Sequence, residues 1–135
     1  MAHTVTIMTC AGAHAPVPDG SGGTQPMKVS KGTGWWTVTW DKDSCPASNY
    51  NILWGYLANL PTYTLLNALC AAGTTGTYNW MNPQPDGNLY FLMVGVDSGT
   101  TESSWGKDSA GNHRKGSAAS GMCTKTIRDN TPACP

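Results

Sequence analysis

The chain has 135 residues and a mass of 14.3 kDa, the size of a single domain, with eight Lys and Arg balanced by eight Asp and Glu. A formal net charge of zero and the lack of a basic stripe exclude the electrostatic footprint of a nucleic-acid or anionic-lipid binder. No stretch approaches the ~18 uncharged apolar residues of a membrane span. Gly, Ser, Thr, Asn and Pro supply 61 of the 135 residues and Glu occurs once, a mixture poor in helix formers, so the expected class is all-β.

In chain order, residues 3–9 read as a strand, with Val5 and Ile7 on one face and Thr4 and Thr6 on the other, before Met8 and Thr9 reverse the polarity of the two faces. This strand pattern stands apart from the rest. Met1-Ala2-His3 offers no basic n-region, so the start does not read as a signal peptide. Residues 11–26 carry too much Gly and Pro for regular structure and are expected as a linker or a loop over the surface. A short strand at 27–30 and the turn Lys31-Gly32-Thr33-Gly34 lead to the clearest strand, with Trp36, Val38 and Trp40 on one face. Tyr50, Ile52 and Trp54 repeat the period of two; residues 61–65 form a weaker strand, and residues 77–80 another. After Pro83, Pro85 and Asp86-Gly87, residues 88–96 form a long strand covered on both faces. Asp97-Ser98-Gly99 turns the chain back through residues 100–105. From residue 106 onward apolar residues are sparse and a loop is expected. About seven strands at this spacing predict two packed antiparallel sheets.

Cysteines stand at 10, 45, 70, 123 and 134, with no CxxC pair and no His at ligand spacing, so disulfides are expected rather than zinc. The bracketing of centre and tail favours Cys45 with Cys70 and Cys123 with Cys134. That leaves Cys10 as a capped thiol or an intermolecular bridge; a pairing of Cys10 with the tail remains open. Two disulfides imply an oxidising compartment, hence an extracellular or cell-surface location.

Val38-Thr39-Trp40, Tyr50-Asn51-Ile52-Leu53-Trp54 and Leu89-Tyr90-Phe91-Leu92-Met93-Val94 together resemble the fibronectin type III domain. In that immunoglobulin-like sandwich a strand-B Trp packs beneath a strand-C Tyr and a strand-F Tyr makes a corner contact, places that Trp40, Tyr50 and Tyr90 would hold. Pro18-Asp19-Gly20, Val29-Ser30-Lys31, Cys45, Cys70 and Ser103-Ser104-Trp105-Gly106 are further similar to bacterial extracellular domains of this kind. The resemblance implies a bridge between Cys45 and Cys70 and a Gly-rich tail after the last strand. It divides the chain into an N-terminal strand or extension (1–15), the sandwich (16–115) and a disulfide-tethered tail (116–135). It brings no catalytic motif, and this sandwich hosts unrelated functions.

The chemistry-bearing residues point away from catalysis. Glu102 is the sole glutamate and pairs on paper only with Asp97, as a solvated hairpin pair. His113 lacks a Gly-x-Ser-x-Gly nucleophile turn to serve. Asp41-x-Asp43 suits turn capping better than calcium ligation. Arg114, Lys115, Lys125 and Arg128 read as a mild, solvated basic tail. No metal or other cofactor is expected. Trp35, Trp80 and Trp105 fall off the core phase or near strand ends and are the candidate aromatic contact surface.

The expected function is a non-catalytic structural subunit or interaction module of an extracellular or surface assembly. It would self-associate, or bind other surface proteins, with Val5 and Ile7 donated to a neighbour's sheet edge. A carbohydrate-binding module is the alternative, and a virion decoration protein a third reading.

Overall fold

A computed structural model describes residues 14–81 and 87–133. The expected N-terminal strand with Val5 and Ile7, the thiol of Cys10, the breaks at Pro83 and Pro85, and Cys134 lie outside the described residues. Eight strands form two sheets: β1 (Lys28–Lys31), β2 (Trp35–Thr39), β3 (Asn49–Tyr56), β4 (Asn67–Leu69), β5 (Thr77–Met81), β6 (Leu89–Val96), β7 (Thr101–Ser103) and β8 (Ile127–Asp129). One sheet runs β1-β2-β5 and the other β4-β3-β6-β7-β8, so the fold is an all-β sandwich whose sheets do not close into a barrel.

The alternation of large apolar side chains decides which face each strand buries. In β2, Val38 is buried and Trp36 half-buried, while Trp35 and Thr39 of the other phase are exposed. Val38 meets Ile52, Trp54, Trp80 and Met93 in the core between the sheets. Trp54 and Trp80 pack with ring centroids 4.7 Å apart, and Trp36 lies 5.6 Å from Phe91, both edge-on. Trp40, just past β2, rests on Tyr50 at 5.3 Å, and the Tyr90 hydroxyl donates to the Thr64 carbonyl oxygen at 2.8 Å. Trp40 and Tyr50 thus meet in the core, whereas the Tyr90 hydroxyl bonds 26 residues upstream, outside the short corner of its own connection.

The central strands are buried on both sides. Leu53, Val94, Val96 and Trp105 form a second core on the outer side of the five-stranded sheet, joined by Tyr63, Leu65 and Met122. A domain with two sheets thus carries a third layer, made from the 57–66 connection and the C-terminal tail. The tail departs from the expected loop: β8 pairs with β7, and does so in parallel, with Glu102 opposite Arg128.

Residues 61–65 also depart from expectation. A 3₁₀ turn occupies Leu57–Thr62, Pro61 lies inside it, and Tyr63 follows with φ 49°. Proline's fixed φ suits such a turn and its missing N–H suits no central strand. The strand of this region is β4, which begins at Asn67.

The described disulfide joins Cys70 to Cys123 with 5.6 Å between Cα atoms. It overturns both expected pairings, Cys45 with Cys70 and Cys123 with Cys134. Cys45 is disulfide-bonded as well, though not to either of these two. Sequence proximity favoured short loops; the fold instead uses its long bridge to fix the third layer to the end of β4.

Candidate functional site

Three places gather the polar and aromatic side chains that the sequence singles out. The first is enclosed. Glu102 has no solvent exposure, and its Oε1 accepts the Trp105 indole N–H at 2.9 Å and the Ser120 N–H at 2.7 Å, while Oε2 accepts the Ser120 hydroxyl at 2.5 Å. Arg128 Nε lies 3.8 Å away, an ion pair without a hydrogen bond, and its guanidinium stacks 3.9 Å from the Trp105 ring centroid. Arg128 Nη1 donates to the carbonyl oxygens of Arg114 and Gly116 at 2.7 and 3.1 Å. Burial pulls the Arg128 guanidinium down from its ordinary value, and the Glu102 charge works against that pull. Glu102 is therefore no solvated hairpin partner of Asp97, and Arg128 no solvated tail residue; together they bind the third layer to the sheet.

Lys125 follows the same pattern. It is buried and donates to the Asp97 and Gly99 carbonyl oxygens at 2.9 and 2.5 Å, with the Asp97 carboxylate at 3.6 Å. His14 Nε2 sits 2.9 Å from Asp129, tying the entering chain to β8. The Thr131 hydroxyl, with His14 next in weight, lowers the Asp129 carboxyl to about 2.

The second place is a cleft of about 430 Å³ between residues 16–21, 104–113 and 130–133. It holds His113, whose Nδ1 is 2.8 Å from the Ser104 hydroxyl oxygen. Sequence reasoning left His113 without a serine partner, because the two meet only where the chain turns back after Gly106. Lys107 and His113 form an isolated antiparallel bridge that sets this geometry. Among the described residues no carboxylate is hydrogen-bonded to His113, so the pair has no third member of the kind that orients a catalytic histidine.

The third place is the outer face of the three-stranded sheet, which presents Trp35 beside its cross-strand partner Met81, and Thr37 donating to the Asn79 amide oxygen at 3.1 Å. Trp35 is 45% and Met81 68% exposed. Of the three tryptophans expected on a contact surface, only Trp35 is there. Trp80 is buried in the main core and Trp105 in the second. Trp80 shares its face with Tyr78, which packs on the same core, and that phase turns it inward; Trp105 follows β7 and is drawn in by Glu102.

Asp41 caps a turn: Oδ1 accepts the N–H groups of Asp43 and Ser44 at 3.0 and 2.9 Å, and Oδ2 the Ser44 hydroxyl at 2.7 Å. The Ser44 bonds hold its carboxyl down at about 2. Among the described residues no group of three His, Cys, Asp or Glu side chains is placed to hold a metal ion. No family model, curated protein or solved structure matches the chain.

Proposed function

We propose that the chain is a non-catalytic structural or interaction module of an extracellular or cell-surface assembly, of the fibronectin type III-like kind, that self-associates by strand addition. The grouping of β1, β2 and β5 against β3, β6 and β7 supports the family reading, since immunoglobulin-type sandwiches divide their strands in this way. Disulfide-bonded Cys45, Cys70 and Cys123 support an oxidising location.

The observation that carries the assembly reading is the outer edge of β5. Edge strands are ordinarily blunted by charge, proline or shortness. β1 has Lys28 and Lys31, β8 has Arg128 and Asp129, and β4 is three residues long. β5, Thr-Tyr-Asn-Trp-Met, has none of these devices and among the described residues pairs only with β2. The alternating segment with Val5 and Ile7 is a suitable donor from another copy.

Light scattering with and without reductant tests this. The expected result is a mass of several subunits that falls to one on deletion of residues 1–10 or in the Thr77→Lys, Met81→Lys double variant. A monomer under every condition would overturn the reading.

Exposed Trp35 beside the Thr37–Asn79 pair favours a second reading, a carbohydrate-binding face. It predicts saturable quenching of Trp fluorescence by a neutral polysaccharide, lost in Trp35→Ala.

A further inference from the structure

The bridge between Cys70 and Cys123 differs in its surroundings from the other bonded cysteine. Cys70 is exposed and Cys123 half-buried, whereas Cys45 has no solvent exposure and its carbonyl oxygen accepts the buried Tyr50 hydroxyl at 3.2 Å. Thiol–disulfide exchange needs a thiolate to reach a sulfur, so access decides which bridge is attacked first. The backbone beside the exposed bridge is also held in a disfavoured form. Ala71, Cys123 and Thr124 have φ of 57°, 54° and 62°, three of the five non-glycine residues with positive φ among the described residues. There the Cβ crowds the following carbonyl oxygen, and the β-branched Thr124 suffers most. Exposed bridges on a strained backbone are the labile ones.

What the bridge restrains is equally specific. Cys123 sits in a turn closed by the Gly121 N–H donating to the Lys125 carbonyl oxygen at 3.0 Å and by the Lys125 N–H donating to the Met122 carbonyl oxygen at 2.9 Å. Met122 packs on Leu53, Val94, Val96 and Trp105, the core of the third layer. Cys70 directly follows β4, the edge strand of the five-stranded sheet. On either side of the turn the tail keeps non-covalent anchors: Ser120 on Glu102, and buried Lys125 on the carbonyl oxygens of Asp97 and Gly99. These anchors outlast the bridge and return the turn to its seat when the bridge forms again.

We propose that Cys70–Cys123 is a redox gate on the third layer, opened by a dithiol reductant while the disulfide of Cys45 stays closed. A thiolate of the dithiol bonds to the Cys70 Sγ and expels Cys123 as a thiolate, which takes up a proton. The second thiol of the reductant, once deprotonated, attacks the mixed disulfide and expels Cys70, which is protonated in turn. Two electrons pass to the bridge, and the reductant leaves as a disulfide. With the tether gone, Met122 leaves its seat and uncovers Leu53, Val94, Val96 and Trp105, an apolar surface that the oxidised chain hides. The gate makes no use of the β5 edge and goes beyond the strand-addition reading.

Graded reduction of the full chain tests the proposal. Five cysteines leave an odd thiol, which is first blocked with iodoacetamide. The chain is then treated with dithiothreitol under native conditions and alkylated with N-ethylmaleimide, and peptide mass spectrometry reads the order of labelling. Cys70 and Cys123 should take up label about tenfold faster than Cys45 or better. At the stage where only these two are labelled, amide exchange in residues 118–129 should rise about tenfold while β3 and β6 keep their protection. Oxidised glutathione, added in place of the alkylating agent, should restore the slow exchange. The Cys70→Ser, Cys123→Ser chain should show the raised exchange without reductant and no further change with it. Labelling of Cys45 in step with the other two would overturn the order of reduction. Unchanged exchange in residues 118–129, or a rise that spreads through both sheets, would overturn the gate.

Discussion

Glu102 is the single glutamate of the chain, and its burial beside Arg128 is costly unless every lone pair and proton is met. The carboxylate meets this condition through Trp105, Ser120 and the Arg128 charge; Arg128 does so less fully, since Nε and Nη2 have no acceptor among the described residues. Removal of the negative charge alone therefore strands a buried guanidinium. Glu102→Gln should lower stability by roughly 3–5 kcal/mol, read as a shift in the urea midpoint with Trp105 as the reporter. The Glu102→Gln, Arg128→Met pair should recover much of the loss, and an equal loss in both variants would refute the ion-pair account. Gly95 is constrained by distance: a Cβ there would stand 2.0 Å from the Ala15 carbonyl oxygen, where the entering chain crosses the sheet. Gly95→Ala should cost about 2 kcal/mol or more by overpacking, whereas Gly99→Ala, with contacts no closer than 3.6 Å, should change stability far less.

At the scale of elements, the third layer hangs on β8, on the Glu102 contacts and on the bridge from Cys70 to Cys123. That bridge spans 53 residues of sequence, and loop entropy assigns such a closure about 4 kcal/mol. Cys123→Ser should approach that loss in chemical denaturation and raise amide exchange in residues 118–129 before the β3–β6 pair is affected. Uniform exchange across both sheets would mean that the layer does not open as a unit. This is also where the sequence was least legible. β2, β3, β5 and β6 show through the period of two, because each sets several large side chains on one face. β4 and β8 have three residues apiece and no period to read. The tail is held by single contacts between residues far apart, such as Glu102 with Ser120 and Lys125 with the Asp97 carbonyl, and pairs of that kind leave no local pattern. The Ser104–His113 pair is hidden for the same reason, since a serine and a histidine nine residues apart carry no signal until the turn is known.

At the scale of the molecule, a chain with no net charge at neutral pH gains one as its carboxylates protonate, and their placement fixes where acid destabilises it. Asp41 and Asp129 move from the ordinary 3.8 to about 2, held by Ser44 in one case and by Thr131 and then His14 in the other. A carboxylate whose pKa is lower in the folded chain stabilises the fold above the unfolded value and loses that contribution as the pH falls through the folded one. Between about pH 4 and pH 2 the unfolded chain binds more protons than the folded chain, so stability must fall as the pH falls across that window. Asp129 joins β8 to His14, and Asp41 ties the turn after Trp40 to the Gln25 N–H; acid thus loosens the third layer and the entering chain together. Urea midpoints should stay nearly level on this account from pH 7 to about pH 5, then decline steeply toward pH 2. Asp41→Asn with Asp129→Asn should give a lower midpoint at pH 7 and a shallower decline in acid, the two curves converging near pH 2. Parallel curves would show that other carboxylates govern the acid limb and that these two caps leave the folded state's proton affinity unchanged.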